Sequence, residues 1–320
     1  MSAVPKNASS HHDGEKTAAA ESQSSTIMGA VTRREKVVVI TVSLVIMGFM
    51  KSMLLRTDKD AASPLVSHLA HLSVYAAFLL AFTNGANDIA NSMGTSVGAN
   101  ALTLRGAIAA GCVFELTGGL IIGPLVSDTL SHGIIDLESF EKTPNTLVKI
   151  MFCSILGSAF STLGATAYGV PVSATKGVIT SMVVLALCTL GRKSLNTHGL
   201  RLMGLTFIVS PIAGMSSPVE NARAYQPLLI AITIAVSMLS LTLSGPTAIN
   251  PPPLAFIAAI TTGAFAHGSN DVSNAAGPLS VIAGYSANPN TTMATIQRPY
   301  WTNALASVAF VCGIVTMVSE

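Results

Sequence analysis

The chain has 320 residues, of which 50% are hydrophobic and only 10% are charged, and its formal net charge at pH 7 is +2. Soluble domains carry about 25% charged residues, so this composition excludes an ordinary soluble protein and predicts a membrane protein. A spanning helix needs about 20 apolar residues, which leaves room for roughly eight to ten spans or half-spans in a lipid bilayer. Nucleic acid is not an expected partner, because the net charge is small and no Lys/Arg-rich run contains interleaved aromatic residues.

The N-terminal part of the chain precedes any repeated pattern. Residues 1–36 are rich in Ser, Ala, Lys and Glu without apolar periodicity, which predicts a disordered tail. Residues 37–66 contain an apolar run that continues past Lys51, and they are typical of an extra transmembrane helix or of the apolar core of a targeting segment. The transmembrane helix is favoured, because no small-residue cleavage site follows neatly.

A duplicated motif follows, and the rest of the chain is organised around it. Residues 81–94 read AFTNGANDIANSMG and residues 264–277 read AFAHGSNDVSNAAG, with seven identical positions at a constant offset of 183 residues. We call these segments the first copy and the second copy. The repetition predicts a first repeat over 67–216, a connecting helix and loop over 217–253, and a second repeat over 254–320.

Glycine, asparagine and proline predict breaks in the apolar helices. Residues 84–87, Asn-Gly-Ala-Asn, are expected to interrupt a helix, with Asp88 beginning a half-helix that runs through Gly98. A second break is predicted at 169–171, where Pro171 suits the start of a new helix. The other predicted elements are an apolar run at 102–126, a polar loop at 127–145, apolar runs at 147–168, 170–190, 202–215, 228–243 and 254–265, a polar loop at 286–299, and a last apolar run at 303–318.

Basic residues give conflicting indications of topology. By the positive-inside rule, one loop is predicted to be cytoplasmic because it contains Arg192, Lys193 and Arg201. The same rule places the basic cluster at 33–36 on the cytoplasmic side. Five predicted elements separate the two clusters, so one element must be re-entrant or one cluster must be misread. The topology therefore stays open.

Four ionisable residues fall where lipid depth is expected: Asp88, Glu115, Lys176 and Asp271. Each would cost about 2.5 to 3.5 kcal/mol if it faced lipid, so each is a candidate functional residue. The alternative is that they cap helix ends at the membrane interface, which applies more readily to Glu115 and Lys176 than to the duplicated aspartates. The four cysteines show no CxxC spacing, so no metal is expected beyond a transported cation.

The pattern Asn-Asp-x-x-Asn offers oxygen ligands to a hard cation, whereas the N–H groups at a half-helix start suit an oxyanion. Two such motifs, each at a helix break and related by internal repetition, are the usual arrangement in secondary transporters. Paired aspartates also occur in intramembrane aspartyl proteases. Neither aspartate here follows Gly-x-Gly, and each has asparagine neighbours that suit ion binding better than general-base chemistry.

The segments GANDIANSMGTSVGA, LTLRGAIAAGCVFELTGG, GIIDLESF and FAHGSNDVSNAAGPL resemble the inorganic phosphate transporter family, whose members are sodium- or proton-coupled phosphate symporters. The resemblance implies an all-α membrane protein, a polytopic helical bundle with inverted repeats and broken re-entrant helices. It implies transport of inorganic phosphate coupled to sodium or proton influx, with no enzyme activity and no cofactor besides the coupling ion. A related oxyanion such as sulfate is the nearest alternative substrate.

The resemblance also implies site residues. Those expected to bind phosphate are Asn87, Asp88, Ser173, Thr175, Asn270 and Asp271. Those expected to bind the cation are Asp88, Asn91, Asp271 and Asn274. Residues 171–176 look like the family's Pro-x-Ser-x-Thr-His element, with Lys176 in place of histidine, and Glu115 matches an acidic residue in Phe-Glu-x-Thr-Gly. Coupling or gating is expected of Glu115 and Lys176, although a lysine would not titrate near neutral pH as histidine does.

The family's second repeat would continue to another Pro-x-Ser-x-Thr-His element, and this sequence ends before one. The fold is therefore expected to be incomplete at its C-terminus. The explanations are an incomplete gene prediction, missing helices supplied in trans, or an inactive product, so a truncated paralogue that does not transport stays an alternative. The expected location is the plasma membrane as a multi-pass protein, with an organellar membrane as the alternative, and homo-oligomerisation is left open.

Overall fold

The computed structural model describes residues 63–98, 102–216 and 253–317, together with isolated positions at 37, 41, 45, 48 and 52. The predictions for the N-terminal tail, the run at 37–50, the apolar run at 228–243 and the connecting segment therefore lie outside the described residues, apart from those isolated positions. In the described part the chain forms eight α-helices: α1 Pro64–Gly98, α2 Leu104–Ile121, α3 Gly123–Ile134, α4 Pro144–Ala167, α5 Ala174–Leu190, α6 Thr197–Ser216, α7 Pro253–Ala287 and α8 Trp301–Met317. The prediction of an all-α polytopic bundle is confirmed.

Four of the described helices are long and apolar enough to cross a membrane, over Pro64–Gly94, Leu104–Ile121, Pro144–Ala167 and Ala174–Ser194. Exposed apolar side chains such as Val113, Phe160 and Val184 give several of these helices an outward surface that suits lipid. By contrast, every residue of α7 from Asp271 to Ser286 is buried. The part of α7 that is enclosed by other helices therefore begins within the second copy, at Asp271.

The two copies lie within continuous helices, so the predicted break at 84–87 is wrong. Helix α1 runs through the first copy from Pro64 to Gly98, and α7 runs through the second from Pro253 to Ala287. Tertiary partners explain why the asparagines do not interrupt α1: Asn84 donates to the Asp271 carbonyl at 3.4 Å, and Asn87 donates to Thr166 Oγ1 at 3.1 Å. Side chains that are bonded to other helices do not compete for the hydrogen bonds of their own helix.

The predicted break at 169–171 is confirmed. Helix α4 ends at Ala167 and α5 begins at Ala174. Gly169 has a φ of 66°, a left-handed conformation that glycine adopts without a steric penalty, and Ser173 is the N-cap of α5. We call residues 168–173 the α4–α5 turn.

The apolar run predicted at 102–126 is two helices, and the polar loop predicted at 127–145 is wrong over 127–134, which are helical. The chain breaks at Ile122, after which α3 continues to Ile134. Ser127 and Ser131 are polar but fully buried, because the Ser127 hydroxyl donates to Asn303 Oδ1 of α8 at 2.9 Å and Ser131 donates to the Ser127 carbonyl at 2.8 Å. The polar residues at this position predicted a loop, but in the structure they form hydrogen bonds between α3 and α8 and within α3.

Glycines allow each motif helix to cross a second helix closely. A Cβ atom at Gly85 of α1 would overlap the Phe310 carbonyl of α8, and one at Gly268 of α7 would overlap the Glu115 backbone of α2. The identical glycine of the two copies is thus needed for close packing rather than for breaking a helix.

The two crossings correspond position by position. One turn away from the first pair, Gly313 of α8 faces the Phe82 carbonyl, and Gly118 of α2 faces the Phe265 carbonyl. The positions on α1 and α7 are 183 residues apart, and those on α2 and α8 are 195 apart. This is the pattern that a duplicated helix pair gives when each copy packs against the second helix of the other. Inversion of one repeat relative to the other stays a prediction.

Candidate functional site

A cavity of about 400 Å³ lies where both copies meet the α4–α5 turn. Helix α1 contributes Asp88 and Asn91 to its wall, and α7 contributes His267, Asn270 and Asp271. The turn and the first residues of α5 complete the wall with Pro171, Val172, Ser173 and Thr175. Segments far apart in sequence thus form one polar cavity.

The side chain of Asn87 in the first copy forms hydrogen bonds with the backbone of the α4–α5 turn. Its amide nitrogen donates to the Val170 carbonyl at 3.1 Å, and its Oδ1 accepts the Val172 N–H at 2.9 Å. Both bonds satisfy backbone groups that the break between α4 and α5 leaves without helical partners. Asn87 is absent from the cavity wall, so the structure places it as a support for the turn.

Thr175, near the start of α5, is bonded to two asparagines of the second copy. Its Oγ1 accepts from Asn270 Nδ2 at 3.1 Å and from Asn274 Nδ2 at 2.9 Å. Asn274 is almost fully buried, and its Oδ1 has no hydrogen-bond partner. The hydroxyl of one threonine therefore fixes two asparagines of α7.

Asp88 and Asp271 face each other across the cavity although both are buried, with 7% and 5% of their surface exposed. Asp88 Oδ1 accepts from Asn91 Nδ2 at 2.8 Å, and Asp271 Oδ1 accepts from Asn270 Nδ2 at 3.0 Å. Each carboxylate is thus bonded to an asparagine of its own copy. Two carboxylates this close and this poorly hydrated are costly to keep charged unless a cationic group lies nearby.

His267 lies beside the aspartates and was not predicted. Its Nε2 is 2.9 Å from Asp271 Oδ2, and its Nδ1 is 3.3 Å from Glu115 Oε1. Neither contact has the alignment of a hydrogen bond. The site prediction relied on positions that are identical in the two copies. His267 is not one of them, because the first copy has Asn84 at the corresponding position. The available signal was spacing, since a residue four positions before Asp271 lies on the same helical face.

Glu115 lies behind His267 rather than in the cavity wall. It is fully buried, its Oε1 accepts from Ser92 Oγ at 2.8 Å, and its Oε2 has no hydrogen-bond partner. Ser92 belongs to the first copy and was also not predicted. Glu115 therefore connects the first copy to the histidine of the second.

Lys176 points away from the cavity, despite its place in the predicted site. Its Nζ lies 5.7 Å from the ring centroid of Phe207 on α6, within the range of a cation–π contact. Six predicted site residues do line the cavity: Asp88, Asn91, Ser173, Thr175, Asn270 and Asp271. Asn87 and Asn274 lie behind its wall.

The wall can offer hydrogen bonds to an anion, but its net charge is unfavourable for one. Two carboxylates and one imidazole are the only ionisable groups among the nine lining residues, which include neither lysine nor arginine. The start of α5 supplies the positive end of a helix dipole at Ser173 and Ala174. An anion in this cavity would need cations bound with it.

Comparison with known proteins gives a consistent result. Residues 84–219 match the phosphate transporter family. A putative phosphate permease of Haemophilus influenzae is 28% identical over 314 aligned residues, which cover 78% of this chain and 75% of the permease. A sodium-dependent phosphate transporter of Plasmodium falciparum is 33% identical over 145 residues, covering 45% of this chain and 22% of that protein.

A solved structure has a similar fold. It is the structure of a sodium-dependent phosphate transporter, and it aligns with a TM-score of 0.61 over 79% of this chain and 76% of its own, at 24% sequence identity. Together with the four membrane-length helices, these similarities identify the chain as an integral membrane protein. The matched proteins are transporters rather than enzymes, which argues against the intramembrane protease.

Proposed function

We propose that this chain, whose residues 84–219 match the phosphate transporter family, is a symporter that carries inorganic phosphate across a membrane with sodium. One observation carries the proposal: the cavity between the two copies combines hydrogen-bond donors, a helix N-terminus and two buried carboxylates. A single cavity with these groups can hold an oxyanion and its coupling cations together.

Phosphate is proposed to bind at the α5 side of the cavity. Ser173 and Thr175 line this space with their hydroxyls at the N-terminus of α5, and Asn270 lies opposite, where its amide is bonded to Thr175 Oγ1 and Asp271 Oδ1. Donors in this arrangement suit the several acceptor oxygens of phosphate. Asn87 acts indirectly in this proposal, because it fixes the backbone that presents these donors.

Sodium is proposed to bind at the aspartates. Asp88 and Asp271 carry the negative charge, and the side-chain oxygens of Asn91 and Asn274 are neutral ligands. Hydrogen phosphate would be repelled by two bare carboxylates, so its binding requires the cations, and the cations bind better when phosphate is present. This mutual dependence is what couples the two fluxes. Relative motion of the repeats then alternates access to the cavity.

Reconstitution into proteoliposomes tests the proposal. We expect labelled phosphate uptake to depend on an inward sodium gradient and to fall to background when choline replaces sodium at each of two pH values. Uptake that follows the pH gradient and ignores sodium would replace sodium by protons as the coupling ion. Uptake indifferent to both gradients would refute symport.

Unlabelled sulfate distinguishes the alternative substrate in the same vesicles. We expect excess phosphate to abolish the labelled signal and equal sulfate to leave most of it. Equal competition by both anions would make the site a general oxyanion site. Among membranes, the plasma membrane is the proposed location, and imaging of the tagged full chain distinguishes it from an organellar one.

A further inference from the structure

Three side chains of the cavity wall have the composition and spacing of a transition-metal site. Asp88, His267 and Asp271 each present one ligand atom, and these atoms lie within 4.8 Å of one another. Ligands about 2.1 Å from a tetrahedral zinc ion lie about 3.4 Å apart. Side-chain rotations that change these separations by at most about 1.4 Å would therefore suit the three atoms to such an ion.

The histidine has a carboxylate near its second ring nitrogen, as metal-binding histidines usually have. A ligating imidazole generally gives its other ring nitrogen to a carboxylate, which fixes the orientation of the ring. With Nε2 directed at the ion, His267 Nδ1 is 3.3 Å from Glu115 Oε1, and Glu115 is held by Ser92. The fully buried Glu115 thus has the position of an outer-shell carboxylate.

An unsatisfied ligand atom points to the same conclusion. Asp271 is 95% buried and its Oδ2 has no hydrogen-bond partner, although it lies 2.9 Å from His267 Nε2. The two atoms form an ion-pair contact without hydrogen-bond alignment, and a metal ion bound by both would satisfy the bonding potential of Oδ2 that is otherwise unmet. Imidazole nitrogen also distinguishes the candidate ions, since sodium prefers oxygen ligands and zinc-class ions accept both.

We propose that Asp88, His267 and Asp271 bind a divalent transition-metal ion of the zinc class, and that this ion blocks phosphate uptake. Three protein ligands leave one position of a tetrahedral ion for water or another ligand. Asp88 belongs to α1 and the other two ligands to α7, so the ion would join the two motif helices and occupy the carboxylates that sodium needs. The blocking effect rests on the proposed function, whereas metal binding does not.

Cobalt titration of the purified full chain in detergent, without phosphate or sodium, tests the site directly. We expect one Co²⁺ per chain, with visible ligand-field absorption that zinc displaces and a chelator removes. His267→Asn, which gives the second copy the residue of the first, should weaken binding by at least about tenfold, as should His267→Gln. Each variant's thermal unfolding in detergent shows whether it is folded.

Matched controls separate this site from other histidines. His198→Asn, at an exposed position on α6, and the double variant His11→Asn/His12→Asn should leave the titration unchanged. Cobalt absorption retained in folded His267→Asn protein, lost in the tail variant, or absent from the unchanged protein would overturn the metal site.

The blocking effect is measured separately, in proteoliposomes of the unchanged protein. Micromolar zinc should stop sodium-driven phosphate uptake, and a chelator should restore it. Undiminished uptake with zinc bound would overturn the block. Absence of any uptake together with intact cobalt binding would instead refute the proposed transport and leave the metal site standing.

Discussion

The two copies of the motif share seven residues, yet they contact the α4–α5 turn in different ways. In the first copy, Asn87 bonds backbone groups at Val170 and Val172. In the second copy, Asn270 and Asn274 bond the hydroxyl of Thr175. Among the described residues, both copies contact the same single turn and the start of α5. Identical residues of the two copies therefore approach different parts of this region. Sequence identity between the repeats therefore does not imply identical roles.

The largest difference lies four residues before each aspartate. The second copy has His267 there, between Asp271 and Glu115, whereas the first copy has Asn84, which donates to the Asp271 carbonyl. The facing residue of the crossing helix also differs, with Glu115 beside the second copy and Phe310 beside the first. The duplication has thus produced one half-site with an imidazole and a buried carboxylate and one without them.

The largest expected effect comes from neutralising the aspartates one at a time. Asp88→Asn should lower sodium-driven phosphate uptake about tenfold and Asp271→Asn about a hundredfold, since each removes a charged ligand worth about 1.5 to 3 kcal/mol and the second also deprives His267 of its nearest carboxylate. Initial uptake rates in proteoliposomes measure this, with the exposed Glu138→Gln as control. Equal losses in the two variants would contradict the asymmetry of the copies.

Removing the Thr175 hydroxyl tests the contact made by the second copy. Thr175→Val should raise the phosphate concentration for half-maximal uptake roughly tenfold, because two asparagine amides lose their acceptor at about 1 to 3 kcal/mol. Concentration dependence of uptake gives the value. Thr189→Val, at the exposed end of the same helix, should behave like the unchanged protein, and an unaltered Thr175→Val would remove this residue from the site.

The glycines of the motif test packing rather than chemistry. Gly85→Ala and Gly268→Ala should each lower the stability of the detergent-solubilised protein by about 1 to 3 kcal/mol, because a methyl group would overlap the backbone of the crossing helix. Gly94→Ala is the matched control in the same helix, since no atom lies near its Cβ position, and it should cause no loss. Thermal unfolding compares the three, and a stable Gly85→Ala protein would show that α1 and α8 are not in close contact.

The smallest effect is expected at Lys176, which lies between the copies in sequence but outside the cavity. Lys176→Ala removes a cation–π contact with Phe207 worth about 0.5 to 1 kcal/mol, so uptake should change by no more than about twofold. Phe207→Leu should give a similarly small change if this contact is the main role of the lysine. A tenfold loss in Lys176→Ala alone would restore it to the coupling role predicted from the sequence.

Several features of the fold and site followed from the sequence alone. Composition indicated the membrane, the 183-residue offset indicated the duplication, and the break at 169–171 followed from Gly169 and Pro171, whose backbone preferences act locally. Six residues of the cavity wall were also predicted. Asp88 and Asp271 were expected from ionisable groups at lipid depth, and Asn91, Ser173, Thr175 and Asn270 from the resemblance to the phosphate transporter family.

Other features depended on contacts between distant segments, which local patterns do not contain. Asn84 and Gly85 looked like helix breakers, but partners on α7 and α8 turn them into packing residues of a continuous helix. Lys176 and Asn87 lie outside the cavity wall because their side chains contact other parts of the fold, Phe207 and the α4–α5 turn. His267 became a central residue only because α2 brings Glu115 beside it. Sequence determined which groups the protein has at membrane depth, and tertiary packing decided which of them meet.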